Sequence, residues 1–447
     1  MDRTASDRSL LGWLCVAGLA ALALLALERS LSLERNAPLA APPAALATSG
    51  VPQNYGEALA RIDRAIADAR GRAEERAGEW LMHETLARRY LARGRLTGSF
   101  DDYAAANATL ARAFAVAKPG TGPHMTQAVL DFTMHRLAAA ERQLDIISAY
   151  AVPPDSDDLA EIAAMRGDIA FYRGRYDEAA AAYEEADRLT PGAADFRRAI
   201  FHSRTGRPDL AEDYFDRVRS GSSARSPQAA ANIELQHGIL DLERGRWDAA
   251  LSHFTAADQL FPGHWLIEEH IAEVTALKGD TAGAEARYRA IVRRTGHPEF
   301  MDALAGLARQ RGDDATATAW TRRAGAAWQR RLGQFPEAAY GHALDHCMAA
   351  GDWSCALDLA RRNHANRPYG EAKVLLARAL LETGRAADAR RTIETVLASP
   401  WRTAQTHAVA AQIYAALGRS GPAHIQRRLA RKLDPHIVIP VAAPSAT

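Results

Sequence analysis

Apolar residues recur at helical spacing along most of this chain, in short blocks broken by glycine. In the stretch from Ala160 to Ala193 they run up to Gly174 and resume after Tyr176. That pattern predicts two antiparallel helices joined by the turn Gly174-Arg175-Tyr176-Asp177. Glycine can end the first helix with φ > 0. Asp177 falls where the second helix needs an N-cap. Ala179 lies where the two helices approach closely, and Tyr183 follows on the same helical face. Pro191 stops the unit. The same arrangement returns at Gly206, Gly245, Gly279, Gly312, Gly351, Gly384 and Gly418. Each glycine has an alanine five residues later: Ala211, Ala250, Ala284, Ala317, Ala356, Ala389 and Ala423. Gaps of 34 residues (245 to 279) and 33 residues (279 to 312) mark a repeat of stacked helical hairpins.

The unit from Ala231 to His264 carries Gly238 in its first helix, then the turn Gly245-Arg246-Trp247-Asp248, then Ala250, Phe254, Ala257 and Pro262. Gly167, Ala179, Tyr183, Ala186 and Pro191 stand at the same offsets one unit earlier. In these residues the chain resembles the tetratricopeptide repeat family, whose pattern is a first-helix glycine, a turn, then alanine, an aromatic, alanine and proline. Later units keep less of it. Tyr288 holds the aromatic position, Pro368 and Pro435 hold the stop, and Gly296 and Trp401 stand in for it elsewhere. The wider gap after Gly312 predicts a long second helix through Trp320 and Trp328 towards Phe335. Upstream, Trp80 to Pro119 reads as a helix pair with an insertion at Gly94–Ser99, and Met125 to Tyr150 as another with Ala140 and Leu144 in register.

The expected fold is therefore all-α. It is an α-solenoid of about ten tetratricopeptide-like helical hairpins, preceded by one transmembrane helix. The division is a flank over 1–9, an anchor over 10–27 and a Pro/Ala-rich linker over 28–53. Degenerate hairpins follow over 54–150, then the regular solenoid over 151–435 and a disordered tail over 436–447. Leu10 to Leu27 is 18 residues without a charge. As a helix it spans about 27 Å, near the roughly 30 Å of a bilayer core. A cleaved signal peptide is the alternative, with a small-residue site at Ala45-Leu46-Ala47. Arg3 and Arg8 before the run are balanced by Arg29 and Arg35 after it, so the charge rule is nearly a tie; the very short N-terminal flank favours an inner-membrane, single-pass anchor with the repeats on the periplasmic side.

Formal net charge is +1, from 55 basic and 54 acidic residues. That balance gives no electrostatic case for nucleic acid. The chain contains no phosphate-binding glycine loop, nucleophile elbow or paired-cysteine ribbon, so the expectation is a non-enzymatic protein without a cofactor. His342 and His346 are spaced for one helical face, yet no third and fourth ligand accompany them, and no metal is expected. Cys347 and Cys355 flank the Gly351 turn. They fit either a disulfide or two packed thiols.

By the resemblance, first helices line a concave groove. Projecting their exposed positions gives Glu161, Asp168, Phe171, Tyr172, Phe196, Glu269, Glu273, Asp302 and Asp345 as a partner-binding surface. Acidic and aromatic groups together suit a basic or apolar peptide. The opposing reading has the acids merely solvating helix surfaces. The basic-and-Asn carboxylate clamp of chaperone-binding tetratricopeptide domains is absent from the corresponding positions. The function expected is a membrane-anchored scaffold for protein–protein interaction in the bacterial envelope, with the bilayer as its second partner. The alternative is an envelope assembly or maturation chaperone of the apocytochrome or polysaccharide-export type.

Overall fold

The computed structural model describes residues 50–221 and 226–440. The expected anchor over 10–27 and nearly all of its linker lie outside those residues. Among the described residues no helix is long and apolar enough to cross a membrane.

The described residues form 21 helices and no strand. A leading helix, α1 (Tyr55–Glu75), packs on the first of ten antiparallel hairpins. These are α2 (Trp80–Thr97) with α3 (Phe100–Val116), α4 (His124–Thr133) with α5 (Leu137–Ser148), and α6 (Ser156–Tyr172) with α7 (Tyr176–Leu189). Next come α8 (Asp195–Arg204) with α9 (Pro208–Ser220), α10 (Pro227–Glu243) with α11 (Trp247–Leu260), and α12 (Trp265–Leu277) with α13 (Thr281–Thr295). The last four are α14 (Pro298–Gln310) with α15 (Asp314–Gln334), α16 (Pro336–Ala349) with α17 (Trp353–Asn366), α18 (Gly370–Glu382) with α19 (Ala386–Leu397), and α20 (Ala404–Ala416) with α21 (Ser420–Leu433).

The repeat marks do what the spacing predicts. All eight turn glycines, Gly174 to Gly418, have positive φ, and all eight alanines that follow them are buried. Gly238 shows why the first-helix glycine matters: a Cβ there would lie 2.4 Å from Phe254 Cε1, so the ring fills the space a side chain would take. Phe254 is fully buried. The long second helix appears as α15.

Some local expectations are corrected. No insertion separates α2 from α3. Gly94 lies inside α2, packed under the Tyr103 ring, and only Gly98-Ser99 forms the turn. Asp177 sits within the first turn of α7 rather than capping it, whereas the Asp280, Asp313 and Asp352 carboxylates do cap α13, α15 and α17. The tail does not leave the body at 436: His436 stacks on Trp247 at 3.9 Å, and residues up to 440 are described.

The larger departure is the path of the array. It coils until its second half rests on its first. Turns within early hairpins meet loops between late ones. Trp265 Nε1 donates to the Leu96 carbonyl at 3.0 Å. Asn366 Nδ2 donates to the His135 carbonyl at 2.9 Å. Gly370 N–H donates to Tyr176 Oη at 2.8 Å, and Arg402 N–H to the Arg204 carbonyl at 2.9 Å. Gly174 and Gly206 lie so close to Pro368 and Arg402 that a Cβ on either would meet them at 2.8 Å.

Candidate functional site

Coiling decides where the expected groove residues end up. Phe171, Tyr172 and Phe196 are buried, not exposed. Phe171 and Tyr172 meet Tyr369 and Trp401 of the second coil, with ring centroids 5.1–6.3 Å apart. Arg367 lies over both Tyr172 and Tyr369, 5.4 Å from each centroid. The chain's own later hairpins therefore cover this part of the concave face. Phe196 packs against Phe215 in a separate apolar cluster.

The acids are enclosed as well, and most are engaged inside the scaffold. Asp168 accepts from Arg197 Nε at 2.7 Å and from Tyr183 Oη at 2.9 Å. Arg197 Nη2 also reaches half-buried Glu161 at 3.1 Å, so one buried guanidinium ties α8 to α6. Asp302 accepts from Trp328 Nε1 at 2.8 Å and pairs with His346 Nδ1 at 2.6 Å. Burial nevertheless pushes the Asp168 and Asp302 carboxyls up, with those partners pulling the other way. Asp345 is held well above the carboxylate range by burial and then by the charge of Glu371. Glu269 and Glu273 are fully enclosed beside His270 on α12. His342 stacks on Trp328, 5.9 Å away, so the two histidines spaced for one face serve different neighbours. Cys347 and Cys355 are joined in a disulfide, Cα to Cα 5.9 Å.

Between the coils lies a cavity of about 210 Å³. Its walls are apolar: Trp247, Leu277, Val374 and Trp401. Arg204, Glu243, Glu273 and Glu371 add a polar floor. Arg204 Nη1 pairs with Glu243 Oε1 at 2.6 Å, and Tyr369 Oη donates to Glu371 Oε2 at 2.7 Å. Enclosure raises the Glu371 carboxyl against the pull of Arg204. Ile437 and Val438 border the same space, just beyond a turn in which Asp434 accepts from the His436 N–H at 2.9 Å. Of the expected groove residues only Glu273 reaches this cavity. The others that form it come from hairpins far apart in sequence, and no local motif joins them.

The architecture defines an all-α array of helical hairpins. Residues 125–194, 164–230 and 235–298 match the tetratricopeptide repeat family model. No curated protein matches the chain. Among solved structures, yeast Tom70 is 14% identical, covering 84% of this chain and 88% of its own, with a TM-score of 0.44. A tetratricopeptide repeat protein from Parabacteroides merdae is 16% identical over 54% of this chain and 93% of its own, at 0.34. Pseudomonas aeruginosa pilF is 15% identical over 48% of this chain and 94% of its own, at 0.34.

Proposed function

We propose that this protein is a non-enzymatic scaffold that binds a protein partner, held at the bacterial inner membrane by residues 10–27 with its repeats in the periplasm. The charge-free run at Leu10–Leu27 supports the anchor. The bridge between Cys347 and Cys355 suits an oxidising compartment. The observation that carries the binding reading is the inter-coil cavity, where Ile437 and Val438, beyond the last helix, already lie against apolar walls. A cavity that already takes apolar residues of its own chain has the chemistry to take them from a partner. Docking thus moves from the concave line of Phe171, Tyr172 and Phe196 to the space bordered by Trp247 and Trp401.

Site-specific photocrosslinking in membranes tests this. A crosslinker at Val374 should capture a defined partner, and more of it when the chain is truncated after Pro435. The same crosslinker at exposed Leu81 should not. Equal capture at both positions, or none at Val374, overturns the reading.

A further inference from the structure

Charge is divided along this array. The second helix of each hairpin buries one stripe and leaves its other face in solvent. In the first five hairpins these helices, α3, α5, α7, α9 and α11, carry 15 acids and 5 bases. In the last five, α13, α15, α17, α19 and α21, they carry 5 acids and 16 bases. A chain of net charge +1 therefore presents an acidic half and a basic half.

The last helix is the extreme. From Thr395 to Leu433 the chain has no Asp or Glu in 39 residues, and six bases. His424, Ile425, Arg428, Arg431 and Lys432 are all exposed, and their spacing puts them on one face of α21. Among the described residues Arg427, Arg428, Arg431 and Lys432 have no ion-pair partner. Ile425 is 48% exposed in the middle of this stripe.

Capping the array does not require this. A terminal helix needs a polar outer face, and mixed charge serves. The leading helix α1 has five acids and four bases. The helix dipole favours Arg431 and Lys432 in the last turn, but not Arg427 and Arg428 further back. Like charges four apart, Arg427 with Arg431 and Arg428 with Lys432, disfavour the helix until an anion meets them.

We propose that the exposed face of α21 docks on an anionic lipid surface. Arg428, Arg431 and Lys432 meet phosphate headgroups, and Ile425 enters the boundary between headgroups and acyl chains. None of these side chains lines the inter-coil cavity. Bases on an outward helix face, rather than gathered round a groove, suit an extended surface better than a single peptide. The acidic outer helices of the first half keep the opposite half of the array off the same surface. The proposal rests on the anchor reading only for a bilayer within reach.

The test reconstitutes the full chain in vesicles of phosphatidylcholine alone, or of equal parts phosphatidylcholine and phosphatidylglycerol. A photocrosslinker replaces Ile425, and mass spectrometry identifies the adduct. Lipid adducts should be several-fold more abundant with phosphatidylglycerol and should fall in high salt, which screens the attraction. Replacing Arg428, Arg431 and Lys432 together by Gln should remove that excess, with circular dichroism confirming the fold. A crosslinker at Leu81, equally exposed on α2, should show no such excess. Equal lipid capture in both vesicles, or an excess that survives the triple substitution, overturns the proposal. So does an adduct to a second copy of the chain in place of lipid, the acidic half of that copy being the rival partner. Flotation with phosphatidylcholine vesicles reports the anchor separately. A chain that floats only with phosphatidylglycerol would sink the anchor reading and leave this one standing.

Discussion

Gly238 and Phe254 form the tightest small-to-large contact inside a hairpin core, and they make a clean test of the register. Gly238→Ala should destabilise the protein by about 1–3 kcal/mol, the usual cost of overpacking. In a Phe254→Leu background the same change should cost measurably less, since the flat ring is what the new methyl meets. Denaturant unfolding of the four proteins checks this; equal costs in both backgrounds would remove the contact from the account. Arg197 offers a second test. It is 2% exposed and holds both Asp168 and Glu161. Arg197→Met should cost about 3–5 kcal/mol, because it strands buried carboxylates. Restoring neutrality with Asp168→Asn should recover part of that loss. At this scale the sequence is legible where the cause is local. Gly238 and Phe254 lie one hairpin turn apart, so spacing alone pairs them. Asp168 and Asp302 are not legible in this sense. Their partners, Arg197 and His346, lie in neighbouring hairpins, and a lone acid on a helix face looks solvated until the next helix is placed against it.

Helices and hairpins are the level at which local pattern suffices, and the exceptions have physical causes. The α4–α5 turn carries no glycine: His135 takes φ 57° there, so a search keyed to glycine passes over it. Its ring accepts that backbone while packed against Tyr172 and within 3.0 Å of Arg367 Nη1. Two other histidines sit in the loops that open α12 and α14. His264 and His297 are buried, and burial lowers each to about 4 from an ordinary value of 6.5. Arg294 adds to the effect at His264. Arg331 does so at His297, with Glu299 opposing. The unfolded chain thus binds these protons at a higher pH than the folded one. Stability is retained above about pH 6.5 and falls as pH drops towards 4, by roughly 2 kcal/mol per group at pH 5. Hydrogen exchange at pH 7 and pH 5 should show the loss concentrated in α2, α12 and α14, which meet at Trp265. His297→Gln should flatten it. A uniform loss across all hairpins would contradict this assignment.

At the scale of the whole molecule the sequence is least informative. Period and packing stripe define each hairpin, but the small rotation between hairpins accumulates, and whether the coils meet depends on the sum. Trp401 can be read in the repeat as a substitute for a stop signal. In the structure it plugs the seam between coils beside Tyr369 and Phe171, with Gly370 packed directly beneath it. Gly174 and Gly312 separate seam from turn. Both have positive φ, 71° and 75°, and both turns should resent a side chain by about 1–2 kcal/mol. Only at Gly174 would a Cβ strike backbone, the Pro368 carbonyl; at Gly312 nothing lies within 4 Å. Gly174→Ala should therefore cost more than Gly312→Ala and should enlarge the radius of gyration in X-ray scattering. Matching costs and unchanged scattering would show that the seam yields freely.

The seam also changes what kind of mechanical object this is. An open solenoid resembles an extension spring: it lengthens under small loads because each coil is free of the next. Here bonds such as Asn366 to His135 and Arg402 to Arg204 clip one coil to another, at intervals along the seam. Pulled end to end, the molecule should stay at fixed length until those clips give way, then lengthen abruptly. It is a strut with a yield point, and a tether at one end would transmit load through it rather than stretch it.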